Sequence, residues 1–196
     1  MLDLEHLFRF LCHQIASRSP QWEGAVFPLC WRCAGMHLGM FSCYVSLLVD
    51  GRRTPRLFPR AAVLLVFLLP LGVDGLANFF LLWSSPGWFR AATGLGAGLA
   101  LPLLLLMLVE VSDEMGLDSR SVANFQSTFV FLILRAAVIG AVGIWLLAHP
   151  SSVIMFRCLE LAAGTGTLLF FAQFSRAWFR CFRPRGHVES TRRIAV

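Results

Sequence analysis

Residues 61–83 read AAVLLVFLLPLGVDGLANFFLLW, an apolar run in which Asp74 is the one ionisable residue. A helix of about twenty apolar residues is long enough to cross the hydrocarbon core of a bilayer. The whole chain has the same character, with 57% hydrophobic residues, 14% charged residues and a mean hydropathy of +0.70. So few polar side chains could not cover the surface of a soluble globule of 196 residues. The sequence therefore predicts an integral membrane protein.

The sequence predicts five membrane-spanning helices and, before them, an amphipathic helix at the membrane interface. A window of about twenty residues finds the five spans. They lie near residues 29–49, 61–83, 91–110, 128–148 and 153–175. A Ser-Ser-Pro-Gly turn at 84–87 joins the second span to the third, and this pair should form a helical hairpin. The expected fold class is an all-α helical bundle in the membrane.

Arginines set the expected orientation, because positive charge close to a span resists translocation. The 17 basic residues are all arginine, and the net charge is +6. Two clusters stand out, one in the first loop and one after the last span: Arg52, Arg53, Arg56, Arg60, Arg180, Arg183, Arg185, Arg192 and Arg193. Four spans separate the clusters, so both are expected in the cytoplasm and the N-terminus outside.

One membrane domain is expected over residues 1–178. It would comprise an interfacial helix and turn over 1–27 and the transmembrane bundle over 28–178, followed by a basic cytoplasmic tail over 179–196. The expected location is the inner or plasma membrane of a prokaryote. Because the arginines lie beside apolar spans, they indicate topology and not a nucleic-acid partner.

Three thiols and an imidazole lie within residues 12–33, as Cys12-His13 and then Cys30-Trp31-Arg32-Cys33. Thiolates and neutral imidazoles bind zinc, and thiolates also carry thiol–disulfide exchange. The two-residue spacing in the second motif points both sulfurs at one centre. A tetrahedral site needs four donors, and these three cysteines with His13 or His37 would supply them. The alternative is that the thiols are small apolar packing residues.

The choice between the two histidines depends on where the first helix ends. Apolar residues over 2–15 have the spacing of a helix that lies along a membrane surface. Neighbouring residues point about 100° apart on a helix, so Cys12 and His13 can bind one ion only if the helix ends there. His37 follows Cys33 by four residues and so lies on the same face of a helix.

Ionisable residues within the predicted spans are candidates for catalysis, because charges inside a bilayer are costly and by default indicate function. The candidates are Asp74, Arg90 and Glu160, which share the outer half of the membrane under the predicted topology. An equally weighted alternative is an ion pair, Asp74 with Arg90 or Glu160 with Arg157, that holds helices together.

Two glycine pairs predict close packing between helices. Gly35 with Gly39, and Gly94 with Gly98, fit the small-xxx-small spacing that lets helix backbones approach. The remaining cysteines, at positions 43, 158 and 181, have no donors at metal spacing and are expected to be plain thiols.

Several short motifs together resemble those of a family of small prokaryotic integral membrane proteins of unknown function. The motifs are Cys12-His13-Gln14, Arg18-Ser19, Pro28-Leu29-Cys30-x-Arg32-Cys33-x-Gly35, Gly39, Asp74-Gly75 and Arg90-x-x-Thr93-Gly94. The resemblance covers roughly the first half of the chain, and it implies a multi-pass helical protein without naming a reaction. It also implies an aromatic residue at the position of His37, which favours His13 as the nitrogen ligand.

Three functions remain open at this point. The first is a metal site, with zinc as the expected ion, bound by Cys12, His13, Cys30 and Cys33 at the extracytoplasmic interface. Such a site would be structural or would support chemistry on a lipid or prenyl head group. The second is a thiol–disulfide oxidoreductase that works with a quinone. The third is a non-enzymatic scaffold or subunit, whose protein partners the sequence does not name.

Overall fold

Five α-helices make up most of the chain that the structure describes. The computed structural model describes residues 8–49, 61–80, 82–113 and 123–182. The helices are α1 (Trp31–Val49), α2 (Ala61–Phe79), α3 (Gly87–Asp113), α4 (Ala123–Ala148) and α5 (Val153–Phe182). The all-α fold class is therefore confirmed. The first-loop arginines, residues 2–7 of the predicted interfacial helix and the tail from 183 onward lie outside the described residues.

Four of these helices are long and apolar enough to cross a membrane: Trp31–Val49, Gly87–Leu106, Val130–Ala148 and Val153–Phe179. The fifth, α2, has a shorter apolar stretch, Leu64–Phe79. The helix bounds differ from the predicted spans at six of their ten ends. The third helix begins earlier because the Arg90 N–H donates to the Pro86 carbonyl at 3.1 Å and so closes a first turn. The last helix continues to Phe182, seven residues beyond the predicted span.

The predicted interfacial helix over residues 2–15 is wrong in its extent. In the described part, the α-helix ends at Arg9, residues 12–15 have no regular structure, and a 3-10 helix follows over Ala16–Arg18. The N–H groups of Leu11 and Cys12 both donate to the Phe8 carbonyl, at 3.0 and 2.9 Å, which closes the last turn. Gln14 then has a φ of 49°, a left-handed conformation that interrupts a helix. Burial of the Phe8 ring against the bundle outweighs the helical spacing of the later apolar residues.

A short β-hairpin that the sequence did not predict follows this turn. β1 (Gln21–Trp22) pairs antiparallel with β2 (Ala25–Val26). The two residues between them, Glu23 and Gly24, have φ values of 46° and 83°. A two-residue turn with both φ values positive matches the twist of antiparallel strands. The hairpin reverses the chain and returns it towards residue 12, and a bond from the Phe27 N–H to the Pro20 carbonyl at 2.8 Å holds its base.

The helices α1 and α3 pack backbone to backbone through the two predicted glycine pairs. A Cβ atom on Gly35 would lie 2.2 Å from the carbonyl oxygen of Ala91. A Cβ atom on Gly98 would lie 2.0 Å from the carbonyl oxygen of Met36. Real Cβ atoms essentially never lie within 3.0 Å of a non-bonded heavy atom. The small-xxx-small packing is confirmed: Gly39 and Gly98 meet each other, and Gly35 and Gly94 each face the backbone of the opposite helix.

The N-terminal segment packs on the end of the bundle at which α1, α3 and α5 begin, called the site end below. Phe8 and Phe27 are fully buried there, in a cluster with Leu38, Leu147 and Phe156. The rings of Phe27 and Phe156 meet edge to face, with centroids 5.1 Å apart. This packing holds residues 8–30 against the first turn of α1.

The close α1–α3 contact predicts that Gly98→Ala destabilises the protein. The added methyl group meets a backbone carbonyl, which cannot rotate away, so a loss of about 1–3 kcal/mol in the free energy of unfolding is expected. Gly72→Ala is the matched control, because nothing lies within 4 Å of its Cβ position. That change should be neutral or stabilise by up to about 1 kcal/mol. Denaturant unfolding of the detergent-purified variants measures both, and equal stabilities would contradict the described packing.

Candidate metal centre

Three thiols converge at the site end. The Sγ atoms of Cys12, Cys30 and Cys33 all lie within 4.8 Å of one another, and all three cysteines are free thiols. In a tetrahedral zinc site with Zn–S bonds of about 2.3 Å, neighbouring sulfurs stand about 3.8 Å apart. The three sulfurs therefore need only a small inward shift to bind one ion together.

The first turn of α1 positions two of these thiols. The Ala34 N–H donates to the Cys30 carbonyl at 2.8 Å, so Cys30 caps the helix and Cys33 lies in its first turn. A capping residue has no helical partner for its own N–H. The Cys30 N–H instead donates to Cys12 Sγ, at 3.3 Å. Cys12 reaches this position because the N-terminal helix has ended before it.

The three thiols share hydrogen bonds that favour a thiolate at Cys12. Hydrogen bonds from the Cys30 and Cys33 thiols lower the pKa of Cys12 far below that of an ordinary thiol, and the Cys30 N–H acts in the same direction. The pKa of Cys30 is raised because its thiol donates to Cys12. The N-terminus of α1 also favours negative charge at this position. These contacts favour the thiolate form of Cys12, which is the form that binds metals and attacks disulfides.

Neither candidate histidine belongs to this group of sulfurs. His13 is exposed, and its assignment as a ligand stays a prediction. His37 is only 2% exposed, and its Nδ1 lies 2.7 Å from Oγ1 of Thr167 on α5. The Thr167 hydroxyl donates its single hydrogen to the Ala163 carbonyl at 2.9 Å, so it accepts from Nδ1–H. Nε2 of His37 therefore carries a lone pair, and it is buried without a hydrogen-bond partner.

The His37 ring lies beside the thiol cluster. It packs against Phe8, with ring centroids 6.4 Å apart, and lies one helical turn beyond Cys33. Cys12 is within electrostatic range of the ring. Burying a lone pair that makes no hydrogen bond costs free energy. The orientation of His37 is therefore unfavourable for Nε2.

Arg32, which lies between the two cysteines of α1, reaches across to α2. Its Nε donates to Asp74 Oδ2 at 2.9 Å, and its Nη2 forms a close ion pair with the same oxygen. The Asp74 side chain is fully buried, while that of Arg32 is 26% exposed. The ion pair expected for Asp74 thus exists with Arg32 and not with Arg90. A tertiary contact selects this partner, because the packing of α1 on α3 brings Arg32 level with Asp74.

Arg90 lies in the same polar network but bonds to neutral groups. Its Nε donates to Ser85 Oγ at 3.0 Å, and its Nη2 donates to Asn78 Oδ1 at 2.8 Å. The Asn78 amide in turn donates to Asp74 Oδ1 at 2.9 Å. Thr93 adds a longer contact to Asp74 at 3.5 Å. The network therefore joins α1, α2 and α3 immediately beside the thiol cluster.

The third catalytic candidate, Glu160, is paired separately. Its Oε2 accepts a hydrogen bond from Arg157 Nη1 at 2.6 Å, as the ion-pair alternative predicted. The structure thus brings Asp74 and Arg90 into one network and gives Glu160 a different partner. Sequence reasoning missed Ser85 and Thr167. Thr167 carried a weak signal, as a polar residue within an apolar span.

Comparison with known proteins agrees with this description. A family model described as "Predicted membrane protein (DUF2085)" matches residues 12–104. An uncharacterised protein of Methanothermobacter thermautotrophicus is 34% identical over 103 residues, which are 52% of this chain and 89% of that protein. The chain belongs to this family. No solved structure matches it.

The family match begins at Cys12 and covers all three clustered cysteines and the Arg32–Asp74 pair. The expected kind of family, membrane proteins without a known function, is confirmed. Which short motifs define the family stays a prediction. The family description names no reaction, ligand or partner.

The ion pair predicts a measurable coupling between Arg32 and Asp74. Asp74→Asn leaves a guanidinium without its counter-charge, and Arg32→Gln leaves a buried carboxylate unpaired. Each should cost about 1–3 kcal/mol, below the usual loss for a fully buried pair because Arg32 is partly solvated. The double variant should be more stable than the sum of the two losses implies. Unfolding of the four proteins in one detergent gives the coupling, and simple additivity would contradict the ion pair.

Proposed function

We propose that the protein binds one zinc ion at the site end through Cys12, Cys30 and Cys33. The observation that carries the proposal is the convergence of three free thiols within 4.8 Å. Thiolate ligands favour zinc among the common divalent ions, and zinc accepts three sulfurs and one nitrogen as a regular tetrahedral set. The thiolate already favoured at Cys12 lowers the proton release that metal binding requires.

We propose His37 as the fourth ligand, in place of His13. Metal-bound histidines almost always hold their second ring nitrogen in a hydrogen bond that fixes the ring, and Thr167 provides such a bond at Nδ1. Nε2 then has its lone pair available in an apolar surrounding. His37 lies one helical turn beyond Cys33 on α1, and metal binding would require a shift that brings this nitrogen and the sulfurs to one ion. His13, in contrast, would have to turn its exposed side chain back across Cys12.

The proposed role of the ion is structural. Three thiolates and an imidazole fill the coordination shell and leave no place for a reacting water. The ion would fasten the N-terminal segment to α1, in addition to the burial of Phe8 and Phe27. From the arginines of the first loop and the tail, we place this end at the extracytoplasmic face of the membrane. We therefore propose a membrane protein in which a zinc ion holds the N-terminal segment to α1 at the extracytoplasmic face.

Thiol–disulfide exchange is the second candidate, and the hydrogen bond from the Cys30 N–H to Cys12 Sγ favours it because it lowers the pKa of the Cys12 thiol. A disulfide between two of the three thiols would release two electrons and two protons. A quinone in the bilayer could accept both, and the disulfide of a substrate protein would accept them equally well. The third thiol would then be available to reopen the bond. Metal content separates the two proposals, because thiolates bound to zinc are not free to exchange.

The zinc proposal predicts one zinc ion per chain in the detergent-purified protein. Elemental mass spectrometry measures this directly. The Cys30→Ser, Cys33→Ser double variant should lose the metal, since hydroxyl groups do not replace thiolates as zinc ligands. Cys158→Ser is the matched control, because Cys158 is exposed on α5 and outside the cluster. Equal zinc in the wild type and the double variant, or none in the wild type, would contradict the proposal and favour thiol–disulfide exchange.

The ligand assignment predicts unequal effects for the two histidines. His37→Ala should weaken zinc binding at least about tenfold, since it removes a donor from a closed shell. His13→Ala should leave the affinity within about twofold. Competition with a chelating dye gives both affinities, with zinc stoichiometry recorded beside them. A loss confined to His13→Ala would return the fourth position to His13.

A further inference from the structure

Arg90 is a buried cation that lacks a matching anion. It is 9% exposed, and its hydrogen bonds in the described part of the chain go to Ser85 and Asn78, which are both neutral. A guanidinium has five N–H donors, and these bonds use two of them. Nη1 makes no hydrogen bond within the part of the chain that the structure describes.

The surroundings of Arg90 carry an excess of positive charge. Arg18 and Arg32 lie within electrostatic range of it, and so do two groups that act in the opposite direction, the Asp74 carboxylate and the thiol of Cys30 in the cluster. Three guanidinium groups and one carboxylate leave two positive charges. A thiolate at Cys12, or a zinc ion with three thiolates, removes only one of them. Unbalanced charge at the edge of a bilayer is costly, so an additional anion would stabilise this arrangement.

The donors present fit a phosphate group better than a simple anion. Guanidinium groups bind phosphate oxygens through paired N–H donors, and Arg32 and Arg90 come from adjacent first turns of α1 and α3. The free N–H groups at the start of α3, from Gly87 onward, lie at the same end of the bundle. Arg18, exposed on the turn before the hairpin, stands at the solvent side.

Two tryptophans indicate the depth at which this region lies in the membrane. Trp83 and Trp88 are exposed on the segment that leads into α3 and its first turn. Exposed tryptophans concentrate at the level of the lipid head groups. A phosphate-binding site beside them would therefore lie at the depth where lipid phosphates are found.

We propose that Arg18, Arg32 and Arg90 form a binding site for a phosphate group at the site end, next to the thiol cluster. The group can come from a lipid head group or from free phosphate. In either case it would take the unused donors of Arg90 and offset the excess charge. This proposal is separate from zinc binding, since none of the three arginines is a metal ligand.

Titration of the full-length protein in nonionic detergent tests the site with three probes. Dioctanoyl phosphatidic acid carries the phosphate on a lipid, inorganic phosphate carries it alone, and dioctanoylglycerol is the lipid without phosphate. Isothermal calorimetry gives the affinities. Binding of phosphatidic acid alone assigns the site to a lipid head group, and equal binding of inorganic phosphate assigns it to free phosphate. Absence of binding by both phosphate probes, or equal binding of dioctanoylglycerol, overturns the proposal.

Variants assign the binding to the arginines. Arg90→Gln keeps an amide for Ser85 and Asn78 and should weaken phosphate binding at least about tenfold. Arg18→Gln alters an exposed residue, so the fold is retained, and should weaken binding by a smaller factor. Arg9→Gln is the control, an exposed arginine in the same N-terminal segment. Weakening by Arg9→Gln as large as that by Arg18→Gln would overturn the assignment. Zinc content measured on the same samples distinguishes failure of this site from failure of the metal centre.

Discussion

The direct backbone contact between α1 and α3 is the constraint on which the site end depends. Because no side chain separates the two helices at Gly35 and Gly98, their first turns lie side by side. The thiols of α1 and the first turn of α3, with Arg90, therefore belong to one region. The helix α2 also packs on α3, which brings Asp74 within reach of Arg32. Without the glycines, the ion pair and the polar network would lose their geometry.

Arg32 connects the two parts of this region. It stands between Cys30 and Cys33 in the sequence, and its guanidinium binds Asp74 on another helix. A buried ion pair contributes little net stability, because desolvation offsets most of the attraction between the charges. It nevertheless fixes the relative positions of its two partners. Any movement of the first turn of α1, such as the inward shift that a metal ion would cause, is therefore transmitted to the network around Asp74 and Arg90.

Hydropathy predicted the five helices because long apolar segments form helices in a bilayer, although α2 has a shorter apolar stretch than the other four. Cysteine spacing predicted the grouping of thiols that the structure contains. Other features depend on contacts between distant residues. The orientation of His37 rests on Thr167, 130 positions away, and the partner of Asp74 rests on the α1–α3 contact. The helical spacing over residues 2–15 was misleading, because burial of Phe8 and the left-handed Gln14 end the helix early.

X-ray absorption at the zinc edge of the purified wild-type protein tests the central claim most directly. The account predicts three sulfur neighbours at about 2.3 Å and one nitrogen at about 2.0–2.1 Å. That result would establish that the thiols of the N-terminal segment and of α1 bind one ion together. A zinc shell of nitrogen and oxygen alone, or the absence of a zinc edge, would contradict it.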